Sequence, residues 1–119
     1  MKGRGDRPAR VAERIREELS ILLQRKVNDP GLSSITITDV SITPDLKLAH
    51  VNYSALVDPS ERKSVAQALR RAEGFLRREL GRVLGLRNAP ELQFHYDDSY
   101  ARGAHIDSLL KKITHEEEP

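Results

Sequence analysis

The chain has no cysteine. That excludes disulfides, thiolate metal ligands and a cysteine nucleophile, and it suits a reducing cytoplasm. Aromatic residues make up 4% of it, too few for the base-stacking sheet of an RNA-recognition motif. No apolar run approaches the ~18 residues a membrane helix needs. The start, Met1-Lys2-Gly3-Arg4-Gly5-Asp6-Arg7, has no apolar region behind it and does not read as a secretory signal. Phosphate loops, zinc-ligand spacings and nucleophile elbows are missing too. These gaps predict no enzyme, no cofactor, no metal and no membrane contact.

What is present is 119 residues, 38% hydrophobic and 32% charged, enough for one polar domain with a modest core. The net charge of +2 is too small to identify a nucleic-acid binder by itself. Its distribution says more. Between Glu61 and Arg87 stand Arg62, Lys63, Arg70, Arg71, Arg77, Arg78, Arg82 and Arg87, against Glu61, Glu73 and Glu79. The end, Glu116-Glu117-Glu118, offsets that excess.

The stretch Ala68 to Arg82 reads as an amphipathic helix. Arg70, Arg71, Arg77, Arg78 and Arg82 project into an arc of roughly 140°, opposite Val65, Leu69, Ala72, Leu76, Leu80, Val83 and Leu84. Gly74 projects to the middle of the basic arc. A mid-helix glycine costs about 1 kcal/mol relative to alanine. It also leaves room for another backbone to approach. A bare notch among guanidinium groups, the better bidentate phosphate donors, is what a phosphate chain needs.

Residues 1–7 read as a loose basic arm carrying Lys2, Arg4 and Arg7. Pro8 suits a first helical turn. Val11, Ile15, Leu19, Leu22 and Leu23 then recur at helical spacing to about Val27. Arg10 and Arg14 share that helix with Glu13, Glu17 and Glu18, and Arg14 is expected to pair with Glu17 or Glu18. Asn28-Asp29-Pro30-Gly31 stops it.

Ser34 to Thr43 reads as a strand whose alternation slips between Ile37 and Val40. A bulge near Thr38-Asp39 would keep both halves facing inward. Thr43 to Lys47 forms a turn, and Leu48 to Val57 the antiparallel partner. Asp58 or Ser60 is the expected cap of the next helix, which ends near Gly85. Leu92, Phe94 and Tyr96 alternate in a third strand, Glu91 to Asp97, and read as core rather than base-stacking residues. Ile106, Leu109, Leu110 and Ile113 form the apolar stripe of a last helix, with Asp98 or Ser99 as its cap. His95, Asp97, Asp98 and His105 lie close in sequence, but single histidines at this spacing are weak evidence for metal or acid–base chemistry.

Three stretches carry a resemblance. They are Arg10-Val11-Ala12-Glu13-Arg14-Ile15 through Val27-Asn28-Asp29-Pro30, Asp39-Val40-Ser41-Ile42-Thr43-Pro44-Asp45-Leu46, and Ala72-Glu73-Gly74-Phe75-Leu76-Arg77 through Leu86-Arg87-Asn88-Ala89-Pro90-Glu91-Leu92-Gln93-Phe94-His95-Tyr96-Asp97. In this order and spacing the chain resembles the bacterial ribosome-binding factor A family from roughly Arg7 to Ile113.

The resemblance implies an α+β, type II KH-like domain of order α-β-β-α-(kink)-α-β with a C-terminal helix. In the family an Ala-x-Gly interruption, here Ala72-Glu73-Gly74, replaces the Gly-x-x-Gly loop. The implied layout is an arm at 1–7, a KH-like domain at 8–98, and a helix and acidic tail at 99–119. The implied function is binding of the small ribosomal subunit and its rRNA, aiding late maturation and 5′-end processing, with importance in the cold. An assembly GTPase is an implied partner and the chain an expected monomer. The expected RNA contacts are Arg70, Arg71, Gly74, Arg77, Arg78 and Arg82, then Arg87, Arg10 and Arg14. Another RNA-binding KH-like role is an alternative. So is a protein-binding module using a strand edge, which would associate without salt sensitivity.

Overall fold

The computed structural model describes residues 3–25 and 29–98, with side chains from Arg7 onward. The expected C-terminal helix, its stripe, His105 and the acidic tail lie outside the described residues.

Helix α1 spans Gly3–Arg25 and helix α2 spans Arg62–Leu84. Strands β1 (Ile35–Ile42), β2 (Leu48–Ala55) and β3 (Glu91–Tyr96) form one sheet in the order β1-β2-β3. β1 and β2 are an antiparallel hairpin, and β3 returns parallel to β2 after the α2 crossover. Short 3₁₀ turns at Pro30–Leu32 and Pro59–Glu61 lead into β1 and α2.

The slip in β1 is resolved as expected. The pairing shifts between Ile37 and Asp39, so Ile35, Ile37 and Val40 are all buried while Thr38 and Asp39 are exposed. One extra residue restores the inward parity that two faces of a pleated strand demand. On β2 the alternation is regular, with Ala49, Val51 and Tyr53 buried. Parallel pairing puts Leu92, Phe94 and Tyr96 beside those three, on the same face. Tyr53 packs edge-on against Phe94 and Tyr96, as the core reading of these aromatics required.

Against that face lie Ala12, Ile15, Leu19, Leu22 and Leu23 of α1 and Val65, Ala68, Leu69, Leu76 and Leu80 of α2. Ile15, Leu19, Leu69, Leu76 and Leu80 are fully buried, and each such side chain contributes about 1.5–3 kcal/mol of transfer free energy.

Four local expectations need correction. First, α1 already begins at Gly3, ahead of Pro8. A proline inside the helix forfeits its bond to the carbonyl four residues back, here that of Arg4, but it does not prevent a turn upstream. Second, neither Asp58 nor Ser60 caps α2 with its side chain. The 3₁₀ turn feeds directly into the helix through Glu61. Third, Glu13 on α1 pairs with Arg16, one turn apart, and no pair of Arg14 with Glu17 or Glu18 forms among the described residues. The pairing with Arg16 holds the Glu13 carboxyl below its ordinary value, first through the hydrogen bond from Arg16.

The fourth concerns Ala72-Glu73-Gly74. α2 runs through it as one helix, and Gly74 is not among the positive-φ residues. The glycine costs about 1 kcal/mol, less than the burial of Leu69 and Leu76 on either side gains. Gly85 does end the helix in the left-handed conformation, φ 65°, as expected.

Candidate nucleic-acid interface

Arg70, Gly74, Arg78 and Arg82 recur at every fourth position of α2 and so follow one side of the helix over about 18 Å. Arg70 and Arg78 are exposed and form no ion pair or hydrogen bond among the described residues. Arg78 folds back along the helix toward the glycine. A Cβ built on Gly74 would stand 3.5 Å from its Nη1, ordinary contact distance. The notch is therefore bordered by a guanidinium with no other commitment.

The remaining arginines of the basic arc differ among themselves. Arg71 donates to Asp29 at 3.1 Å, and its side chain is still 65% exposed. Arg82 pairs with Glu79 at 3.1 Å, which raises its already high pKa. Exposed pairs of this kind contribute about 0–1 kcal/mol and exchange readily for another anion.

Arg77 stands apart. It is half-buried, and its Nε and Nη2 donate to the carbonyls of Pro90 and Ala89 at 3.1 and 3.3 Å. It ties α2 to the loop that starts β3. A helical wheel assigns it to the basic arc because a wheel contains no partner from outside the helix.

Beyond the C-terminal end of α2 lies a second basic group. Arg7, Lys47 and Arg87 line a small recess with Asp45, Leu46, Leu86, Asn88 and Ala89. Cations are favoured near a helix C-terminus. Asp45 adds one negative charge there, but it is committed to its own turn, accepting from the Thr43 hydroxyl at 2.6 Å and the Lys47 amide at 3.0 Å. Those bonds, the hydroxyl first, hold its carboxyl below the ordinary value. Lys47 escaped the sequence reading because the hairpin brings it to Arg87 from forty residues away. Arg10 and Arg14 are exposed on α1.

Of the histidine–aspartate grouping, which the sequence offered only as weak evidence for a site, His105 lies outside the described residues. His95 lies on the polar side of the sheet, where its Nε2 is 3.1 Å from Nδ1 of His50 on β2. Parallel register, with Asn52 opposite His95, makes His50 its diagonal neighbour. Asp97 instead accepts from the Thr38 hydroxyl at 2.9 Å. Among the described residues no three histidine, aspartate or glutamate side chains gather where they could hold a metal ion. No described helix is long and apolar enough to cross a membrane.

The profile of the family described as "Ribosome-binding factor A" matches residues 7–110. The chain belongs to the ribosome-binding factor A family. A relative of that name from Desulfatibacillum aliphaticivorans is 46% identical over 107 residues, covering 90% of this chain and 87% of the relative. Among solved structures, a candidate ribosome binding factor A from Thermotoga maritima, determined by solution NMR, has a TM-score of 0.67 at 32% identity. The match covers 76% of this chain and 87% of that one. A homology model of Thermus thermophilus ribosome binding factor A, fitted into a cryo-electron-microscopy map of its complex with the 30S subunit, has a TM-score of 0.56 at 25% identity. It covers 77% of this chain and 92% of that one. Members of the ribosome-binding factor A family are thus matched in sequence and in the mixed α+β fold.

Proposed function

We propose that this protein binds the small ribosomal subunit at its 16S rRNA, through the side of α2 that carries Arg70, Gly74, Arg78 and Arg82. The observation that carries the proposal is that Arg70 and Arg78, unpaired among the described residues, flank the glycine on one side of α2. Family membership supplies the partner, since the Thermus relative is described in a 30S complex. Arg87, with Lys47 and Arg7, extends the basic track past the helix end. Arg71 and Arg82 join it by exchanging their carboxylate partners for phosphate. Arg10 and Arg14 are secondary contacts, and Arg77 supports the interface from behind.

The protein acts by binding, not by making or breaking a bond. A rigid basic face that fits one rRNA conformer shifts the population toward it. That is the physical content of assisting late maturation and 5′-end processing, with greatest weight in the cold. The sheet order, one antiparallel and one parallel pair, supports reading residues 8–98 as a type II KH-like domain. In this reading Ala72-Glu73-Gly74 is where the rRNA backbone comes closest to the helix, and few base edges are read. The protein works as a monomer in the cytoplasm, and a GTPase of ribosome assembly governs its release.

Co-sedimentation with purified small subunits tests this. Arg70→Ala with Arg78→Ala should weaken binding and flatten its dependence on salt by about 0.7–0.9 in log–log slope for each phosphate no longer neutralised. A double variant with unchanged affinity and slope would remove α2 from the interface.

A further inference from the structure

At the end of the sheet far from the hairpin turn, the chain leaves apolar surface open. Leu56 is 87% exposed, against 42% for Ile21, the other exposed large hydrophobic among the described residues. It stands on a groove of ≈ 850 Å³ whose lining is mostly apolar, with Ala55, Val57, Arg62 and Tyr96 among its walls. The Arg62 guanidinium lies over the Tyr96 ring at 4.5 Å, and its Nε is buried with no hydrogen-bond partner. An open leucine beside further apolar wall indicates a missing cover.

We propose that this groove is the seat of the chain's own segment 99–119, held through Ile106, Leu109, Leu110 and Ile113. Asp97 is itself a wall of the groove, so the segment departs from its edge. The step from Asp98 to Ile106 spans at most about 28 Å when extended, ample to bring the stripe onto Leu56. Tethering makes the encounter intramolecular and raises the effective concentration into the range of about millimolar. Charge agrees as well. The groove carries Asp58, Glu61 and Asp97 against Arg62, and residues 102–113, which hold the stripe, carry Arg102, Lys111 and Lys112 against Asp107. Docking there is independent of RNA binding, because it uses the end of the sheet and not the basic side of α2.

The lack of cysteine makes a direct test possible in the full chain. Leu56→Cys is combined in turn with Ile106→Cys, Leu109→Cys, Leu110→Cys and Ile113→Cys, and, for the opposite side of the stripe, with Ser108→Cys and Lys111→Cys. Disulfide formation is followed at low protein concentration by mass spectrometry. At least one stripe position should cross-link within the chain about tenfold faster than Ser108→Cys or Lys111→Cys, because docking raises the local concentration at particular positions. Equal rates at all six positions would overturn the proposal, since a tether without docking collides indiscriminately. Cross-links chiefly between chains would also overturn it and assign the groove to a second copy. A second measurement needs no cysteine. The Leu56 amide donates to the Ser34 carbonyl, and its hydrogen exchange should quicken in Leu109→Asp/Leu110→Asp. Unchanged exchange there would contradict docking.

Discussion

At the scale of single residues, Gly74, Arg77 and Asp45 give the clearest expectations. Gly74 has ordinary helical backbone, and a Cβ there finds ordinary contact distance. Gly74→Ala should therefore stabilise the free protein by about 0.5–1 kcal/mol, read from the denaturation midpoint. The same change should weaken subunit binding, because the methyl group fills the close-approach point. A loss of stability would show that the helix is not regular there. Arg77→Ala removes two hydrogen bonds from a charged donor to the carbonyls before β3 and should cost about 1–3 kcal/mol in urea denaturation. Arg77→Glu is consequently a poor probe of the interface, since it disturbs the fold at the same time.

Asp45 gives a pH expectation. Its folded pKa is depressed, so its contribution is complete above its ordinary value of 3.8 and is lost as pH falls through the lower folded value. The Lys47 amide shift should titrate below 3.8. A midpoint at or above that value would contradict the turn as described. Of these residues, the sequence revealed the glycine and its basic surroundings. It did not reveal the commitment of Arg77 to Ala89 and Pro90, or of Arg71 to Asp29, because both depend on where distant loops arrive.

At the scale of elements, the β1 bulge shows what a sequence can disclose. Isoleucines of one parity followed by Val40 and Ile42 of the other leave an inward-facing strand only one solution, and the pairing adopts it. Deleting Thr38 should then be tolerated. It rejoins Ile35, Ile37, Val40 and Ile42 in unbroken alternation and forfeits chiefly the hydrogen bond to Asp97, worth about 1 kcal/mol. Deleting Thr36 moves Ile35 to the wrong face and should unfold the chain or cost several-fold more, by circular dichroism and thermal melting. Equal effects of the two deletions would mean that the bulge does not set the register. The Gly85 cap was legible for a similar reason, since few other residues take a left-handed terminus. The parallel pairing of β3 with β2 was not legible, because no local pattern states which strand will be its neighbour. The approach of His50 to His95 depends on that pairing and was hidden for the same reason. Helix α2 shows the limit of propensity. A glycine in mid-helix suggests a break, yet burial on the opposite side keeps the helix continuous.

At the scale of the whole molecule, two helices cover one side of a three-stranded sheet, and charge is distributed unevenly over what remains. The net charge of +2 conceals a basic track along α2 that continues to Arg87, Lys47 and Arg7. Family and element order were legible because three motifs stand in one order across most of the chain. The extent of the track was not, because Lys47 joins it only through the fold. The most direct test is co-sedimentation with small subunits across a salt series, comparing the native chain with Arg70→Glu/Arg78→Glu, residues that make no ion pair or hydrogen bond among the described residues. Native binding should fall steeply with salt, and a double variant whose circular dichroism and melting are unchanged should not bind. Binding that survives in the folded double variant with the same salt slope would contradict the assignment of α2 as the rRNA-contacting face.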